Sequence, residues 1–267
     1  MGLSVYARAW RAGIIACGLA WFGPVDLRAE TPEPSAPPPE LIQRSAEPFG
    51  LAASFLTSGG LHDKWLGVQH RLDDEMVQLA LCEGDRDGCV SPAALKFLDI
   101  VDAARSREGR ARLGEINRAI NLAIRPISDL AQHGEVDVWT PPLATLARGG
   151  GDCEDYAIAK FIALRRAGLA PDDLRIVVLR DTIHGEDHAV AAARLDGRWL
   201  MLDNRRMAMV EDADVRNFRP TFVIGQHGVM RYADGSLLAD VAGNNPVASL
   251  VVSSLAASAD RPSGHAD

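Results

Sequence analysis

Gly149-Gly150-Gly151-Asp152-Cys153-Glu154-Asp155-Tyr156 is the stretch from which the fold of this chain can be read. The glycines break the preceding turn and Asp152 can cap the next helix. Ile158, Phe161, Ile162 and Leu164 then repeat at helical spacing until Gly168, which suits a helix terminus. A helix therefore starts at Cys153, and the sequence changes period on its two sides.

Upstream, from about residue 60 to 131, the pattern is mostly helical. Trp65, Val68, Leu72, Met76 and Leu79 form one apolar face. Ser91-Pro92 reads as a helix start with proline at the first helical position, followed by Leu95, Leu98 and Val101. A further helix is expected over about 110–124, with Leu113, Ile116, Ala119, Ile120 and Ala123 inward and Pro126 ending or kinking it. Trp139-Thr140-Pro141-Pro142 reads as extended, leading into a short turn at 143–147. Downstream the period becomes two. Residues 174–179, 189–195, 199–202, 218–224 and 229–232 read as strands, with Asp196-Gly197 a two-residue hairpin signal. A helical first half, a central helix and an antiparallel sheet make an α+β fold.

The chemistry follows from spacing. A cysteine nucleophile needs a base to take its proton and a group to orient that base. If Asp196-Gly197 forms the turn, Leu195 faces Arg198 and Val190 faces Asp203, so His188 lies diagonally across from Asp203 on one face of the sheet. Such diagonals span roughly 7–8 Å between Cα atoms, within reach of an imidazole and a carboxylate. His184 shares that face but lies nearer the loop. Cys153, at a helix N-terminus, is placed where the partial positive charge favours thiolate, and amides of that first turn could stabilise an oxyanion. Trp139 is either a wall of the cleft or a core aromatic. Against a reactive thiol stands the reading of Cys153 as an inert buried cysteine; its acidic neighbours argue the other way, while opposing ionisation of the sulfur.

The net charge of −8 and the lack of a Lys/Arg-rich run argue against nucleic acid as a partner. Arg8 and Arg11 precede an apolar stretch at 12–22 that is too short to span a bilayer as a helix, so residues 1–29 read as an export signal. Ile14-Ile15-Ala16-Cys17 also has the form of a lipoprotein cleavage box, and a retained anchor is a third reading. Residues 30–48 carry six prolines in a linker-like segment, a folded domain is expected over 49–242, and 243–267 read as a mobile tail. Cys82 and Cys89 flank a Gly/Asp-rich loop and can pair in an oxidising compartment, which leaves Cys153 alone. That loop, Glu83-Gly84-Asp85-Arg86-Asp87-Gly88, imitates the start of an EF-hand, but its twelfth position is Ala94 where a bidentate Glu is needed.

Asp137-x-Trp139-x-x-Pro142, the Gly149–Lys160 segment, Asp187-His188-Ala189-Val190 and Trp199-x-x-x-Asp203-Asn204 together resemble the bacterial transglutaminase-like cysteine proteinases, and within them the LapG-type periplasmic proteases. The resemblance covers about residues 110–225. It implies a papain-like, transglutaminase-like core with Cys153 as nucleophile, His188 as base and acid, and Asp203 as the orienting carboxylate. It also implies calcium held by Asp152 and Glu154, with Asp155 beside them, and a periplasmic location. The implied partners are a large surface adhesin, cut in its N-terminal region to control biofilm attachment, and a cyclic-di-GMP-responsive inner-membrane receptor. Two other readings stay open: acyl transfer of transglutaminase or amidase type on the same three residues, and a binding module without catalysis.

Overall fold

A computed structural model of the chain describes residues 46–233. The segments read as export signal and tail, Cys17, and the linker up to residue 45 lie outside the described residues.

The helical half contains α1 (Gly60–Gly84), α2 (Pro92–Arg105), α3 (Gly109–Ala123), the short α4 (Asp129–His133) and α5 (Pro142–Arg148), followed by the central α6 (Cys153–Arg166). Ser91 caps α2 as its sequence suggests, its Oγ accepting the Ala94 N–H at 3.2 Å. Between Leu81 and Ser91 the backbone turns on a disulfide, Cys82–Cys89. The loop it closes holds Arg86 against Asp99 and Asp102 of α2, and of its EF-hand-like acids Asp85 accepts the Gly88 N–H at 2.9 Å while Glu83 pairs with Arg105 and Arg166.

The sheet runs β1 (Ala53–Phe55), β9 (Gly228–Tyr232), β8 (Phe218–Gly225), β4 (Leu174–Asp181), β5 (Asp187–Leu195), β6 (Arg198–Leu202) and β7 (Val210–Glu211), every neighbouring pair antiparallel. Asp196 and Gly197 have φ of 51° and 77°, both left-handed, as a tight hairpin matching the twist of its strands requires. The resulting register pairs Leu195 with Arg198 and Ala191 with Leu202.

Alternation along β5 sets the packing. Ala189, Ala191 and Ala193 face the helices, and these small side chains let α6 lie close on the sheet. From Glu154 to Leu164 every residue of α6 is buried. Val190 and Ala192 face the opposite side with Val177, Leu179, Trp199 and Met201. The start of the described chain covers part of that second face. Glu47 binds the Arg175 guanidinium through two hydrogen bonds of 2.6 and 2.8 Å, and Trp199 Nε1 donates to the Ala46 carbonyl at 3.0 Å. Pro48 is buried there. The proline-rich segment thus ends inside the fold: a paired charge and an indole anchor its last residues, where the proline content alone reads as a solvated linker.

The glycine run does more than break a turn. Gly149 ends α5 with φ 68°, and Gly150–Gly151 form β3, paired in parallel with β2 (Arg125–Pro126). A side chain at Gly151 would bring its Cβ within 2.7 Å of Asp155 Oδ2, so glycine is what allows the chain to pass this close to the first turn of α6.

Candidate active site

Cys153 and His188 line one cleft of about 680 Å³ between the helical half and the sheet. His188 stands near the start of β5, and Asp203 follows the last paired residue of β6. His188 Nε2 lies 2.9 Å from Asp203 Oδ1, and both residues are buried. Asp203 Oδ1 also accepts the Arg205 N–H at 2.9 Å, and Arg206 stands 3.6 Å from Oδ2. Burial by itself would raise the Asp203 pKa. The His188 bond and charge, with the Arg205 amide and Arg206, outweigh it and hold the carboxyl below its ordinary value. An ionised Asp203 can only accept, so Nε2 carries the proton in this bond and Nδ1 is the nitrogen left to exchange one. Nδ1 is buried and has no hydrogen-bond partner among the described residues. Phe218 packs on the ring at 5.8 Å between centroids.

The sulfur is not bonded to that nitrogen in this conformation. Cys153 Sγ donates to Glu154 Oε2 at 3.1 Å. Burial, and then the Glu154 carboxylate, push the thiol well above its usual range, with the Ala189 amide acting in the opposite direction. The helix terminus expected to favour thiolate is therefore overridden by desolvation and adjacent acid.

The acidic residues divide into two groups. Asp152 occupies the position before α6 but makes no capping bond with its side chain. Instead its carboxylate joins those of Glu154 and Asp129, one oxygen from each lying within 4.8 Å of the others. Asp152 is pushed up to about 8, by burial first and by Glu154 next, and burial raises Glu154 as well. Asp152 Oδ1 and Asp129 Oδ1 are buried without hydrogen-bond partners, although His133 Nε2 stands 3.9 Å from the latter. Three converging carboxylates, two of them with an unpartnered buried oxygen, form a donor set that suits a hard divalent cation such as calcium.

Asp155 does not belong to that set. Its Oδ1 accepts the Thr140 N–H at 2.8 Å and the Thr140 hydroxyl at 2.7 Å, while Oδ2 is buried without a hydrogen-bond partner. The carboxylate that stands with Asp152 and Glu154 is that of Asp129. No local motif announces Asp129: the parallel pairing of Pro126 with Gly151 brings the segment after β2 alongside the residues before Cys153. Trp139 is both things its sequence allows, being buried and lining the cleft, with Nε1 donating to Asp137 Oδ1 at 2.8 Å. His184 bonds Asp181 and takes no part in the His188–Asp203 pair.

A cysteine at the head of a buried helix shares a cleft with His188, whose imidazole is bonded to Asp203 on an antiparallel sheet, and these are the groups that thiol-dependent acyl transfer requires on a transglutaminase-like fold. The sequence profile of the family described as bacterial transglutaminase-like cysteine proteinase matches residues 76–218, just over half of the chain, and the chain belongs to that family. Among solved structures it is similar to Legionella pneumophila LapG, with 22% identity over 61% of this chain and 91% of that one and a TM-score of 0.49. The calcium-bound structure of the same Legionella protein gives 21% identity over 58% and 86% of the two chains, also with a TM-score of 0.49. A putative cysteine protease from Cytophaga hutchinsonii gives 18% identity over 52% of each chain, with a TM-score of 0.32. No curated protein matches by sequence.

Proposed function

We propose that the chain is an exported, calcium-dependent cysteine endopeptidase of the periplasm that cuts the N-terminal region of a large surface adhesin, under restraint by a cyclic-di-GMP-responsive receptor. The chemistry is supported by one observation above all: the 2.9 Å His188–Asp203 bond leaves Nδ1 buried and unpartnered on a histidine that lines the cleft with Cys153, the sole free cysteine among the described residues. The substrate and receptor are supported by the likeness of the sequence motifs to LapG-type proteases.

In the proposed reaction Nδ1 of His188 takes the Cys153 proton as sulfur attacks the scissile carbonyl. Asp203 keeps the proton on Nε2 and stabilises the imidazolium. Backbone N–H groups at the first turn of α6 face the developing oxyanion. When the C–N bond breaks, Nδ1 returns its proton to the departing amine. Water, deprotonated by Nδ1, then releases the acyl group and the thiol is restored. Calcium held by Asp129, Asp152 and Glu154 would neutralise the carboxylates that oppose ionisation of the sulfur. Product analysis tests this function: peptide-bond cleavage yields a new N-terminus, whereas ammonia release without one indicates amidase or transglutaminase work.

A further inference from the structure

Lys160 is the most buried charge-bearing side chain that the proposed reaction does not use. It is 0% exposed, and among the described residues it forms no ion pair. Its Nζ donates to the Leu202 carbonyl at 3.0 Å and lies 5.8 Å from the centre of the Tyr156 ring. An amine with three donors, satisfied by one carbonyl and a ring face, is costly to bury, and a methionine of similar length would avoid that cost. The place it reaches shows what it provides. Leu202 is the last paired residue of β6, and its carbonyl shares a rigid peptide plane with the Asp203 N–H. The peptide on the other side of Asp203 is held from α3, where Asn121 Nδ2 donates to the Asp203 carbonyl at 3.1 Å. Lys160 is also seven residues after Cys153, two helical turns on, so both stand on the same face of α6.

We propose that Lys160 is a positioning residue, tying the helix that carries Cys153 to the peptide from which Asp203 departs and so setting the distance between the thiol and the His188–Asp203 pair. The proposal rests on the reading of Asp203 as the group that orients His188. Lys160 acts through that carboxylate and touches neither substrate nor sulfur. Lys160 and Asp203 also lie close enough to interact electrostatically when the ammonium is protonated.

The test uses the full chain with calcium present and follows iodoacetamide alkylation of Cys153 at pH 7, read on the Cys153 peptide by mass spectrometry. Lys160→Met is expected to slow alkylation about tenfold while its urea midpoint stays at or above that of the native protein. A merely structural lysine would do the reverse, lowering the midpoint and leaving the rate alone. Asp203→Asn is expected to slow alkylation at least as much, and the double variant to be no slower than Asp203→Asn. A native rate for Lys160→Met, or multiplied effects in the double variant, overturns the positioning role while leaving the triad reading intact. A native rate for Asp203→Asn overturns the triad reading and the Lys160 role with it. Should Lys160→Met not fold, Lys160→Gln decides: slowing of threefold or more supports the role, and a native rate refutes it.

Discussion

His188 Nε2 and Asp203 Oδ1 meet at 2.9 Å across the β5–β6 hairpin, and the register of that hairpin is fixed by two residues, Asp196 and Gly197, at its turn. A carboxylate that orients an imidazole does so by accepting its proton-bearing nitrogen. Asp203→Asn offers an amide in the same space and permits the wrong tautomer. Activity is expected to fall by on the order of 10³–10⁴ in kcat, with an unchanged circular dichroism spectrum. Loss of less than tenfold would show that Asp203 does not orient the base.

The division of the acidic residues predicts two distinct phenotypes. Asp129→Asn should weaken calcium binding at least tenfold in isothermal titration, because it removes one of three converging carboxylates. Asp155→Asn should leave calcium affinity within about threefold and destabilise the protein by about 1.5–3 kcal/mol in urea titration, since it disrupts two buried bonds to Thr140. A chelator should abolish cleavage without unfolding the chain. Exchanged phenotypes would return Asp155 to the metal site and remove Asp129.

Much of the fold and site was legible in the sequence, and the parts that were not have a common cause. The Cys153 helix, the Ser91-Pro92 start and the Asp196-Gly197 hairpin are local, so spacing and turn chemistry reveal them. The His188–Asp203 meeting follows from the hairpin by counting. Asp129 was hidden because a two-residue parallel bridge, too short for any periodic signal, brings it to Asp152. Its helix, α4, and strands β1 and β7 are similarly brief. The role of Asp155 depended on Thr140, fifteen residues upstream, and the raised thiol pKa on burial that no residue pattern displays.

Glu75 ties two helices together. From α1 its carboxylate accepts the Leu143 and Ala144 N–H groups, each at 2.8 Å, satisfying donors at the start of α5 that proline residues cannot cap. Glu75→Gln keeps the shape, loses the charge and turns one acceptor into a donor facing a donor. A loss of about 1.5–3 kcal/mol is expected from the urea midpoint, and an unchanged midpoint would mean that the bonds contribute nothing net.

Lys160 gives stability a pH dependence whose sign can be worked out. Burial lowers its pKa to about 7 from the ordinary 10.5. Above 10.5 neither the folded nor the unfolded chain carries the proton. Between 10.5 and 7 the unfolded chain binds it and the folded chain does not, so this contribution falls as pH falls, by up to about 1.4 kcal/mol per unit. Below 7 both are protonated and the penalty is constant. Lys160→Met removes it. The stability advantage of the variant over the native protein should therefore grow from pH 9 to pH 7 and level off below. A difference that does not vary with pH would place Lys160 in a solvated setting.

The proposed function is tested most directly by the products formed from the N-terminal region of a large repeat-rich adhesin, in the presence of calcium, by the native protein and by Cys153→Ala. The native protein is expected to generate a single new N-terminus, identified by mass spectrometry, and Cys153→Ala none. Ammonia released without a new N-terminus, or cleavage that survives loss of the sulfur, would contradict a cysteine endopeptidase acting through Cys153.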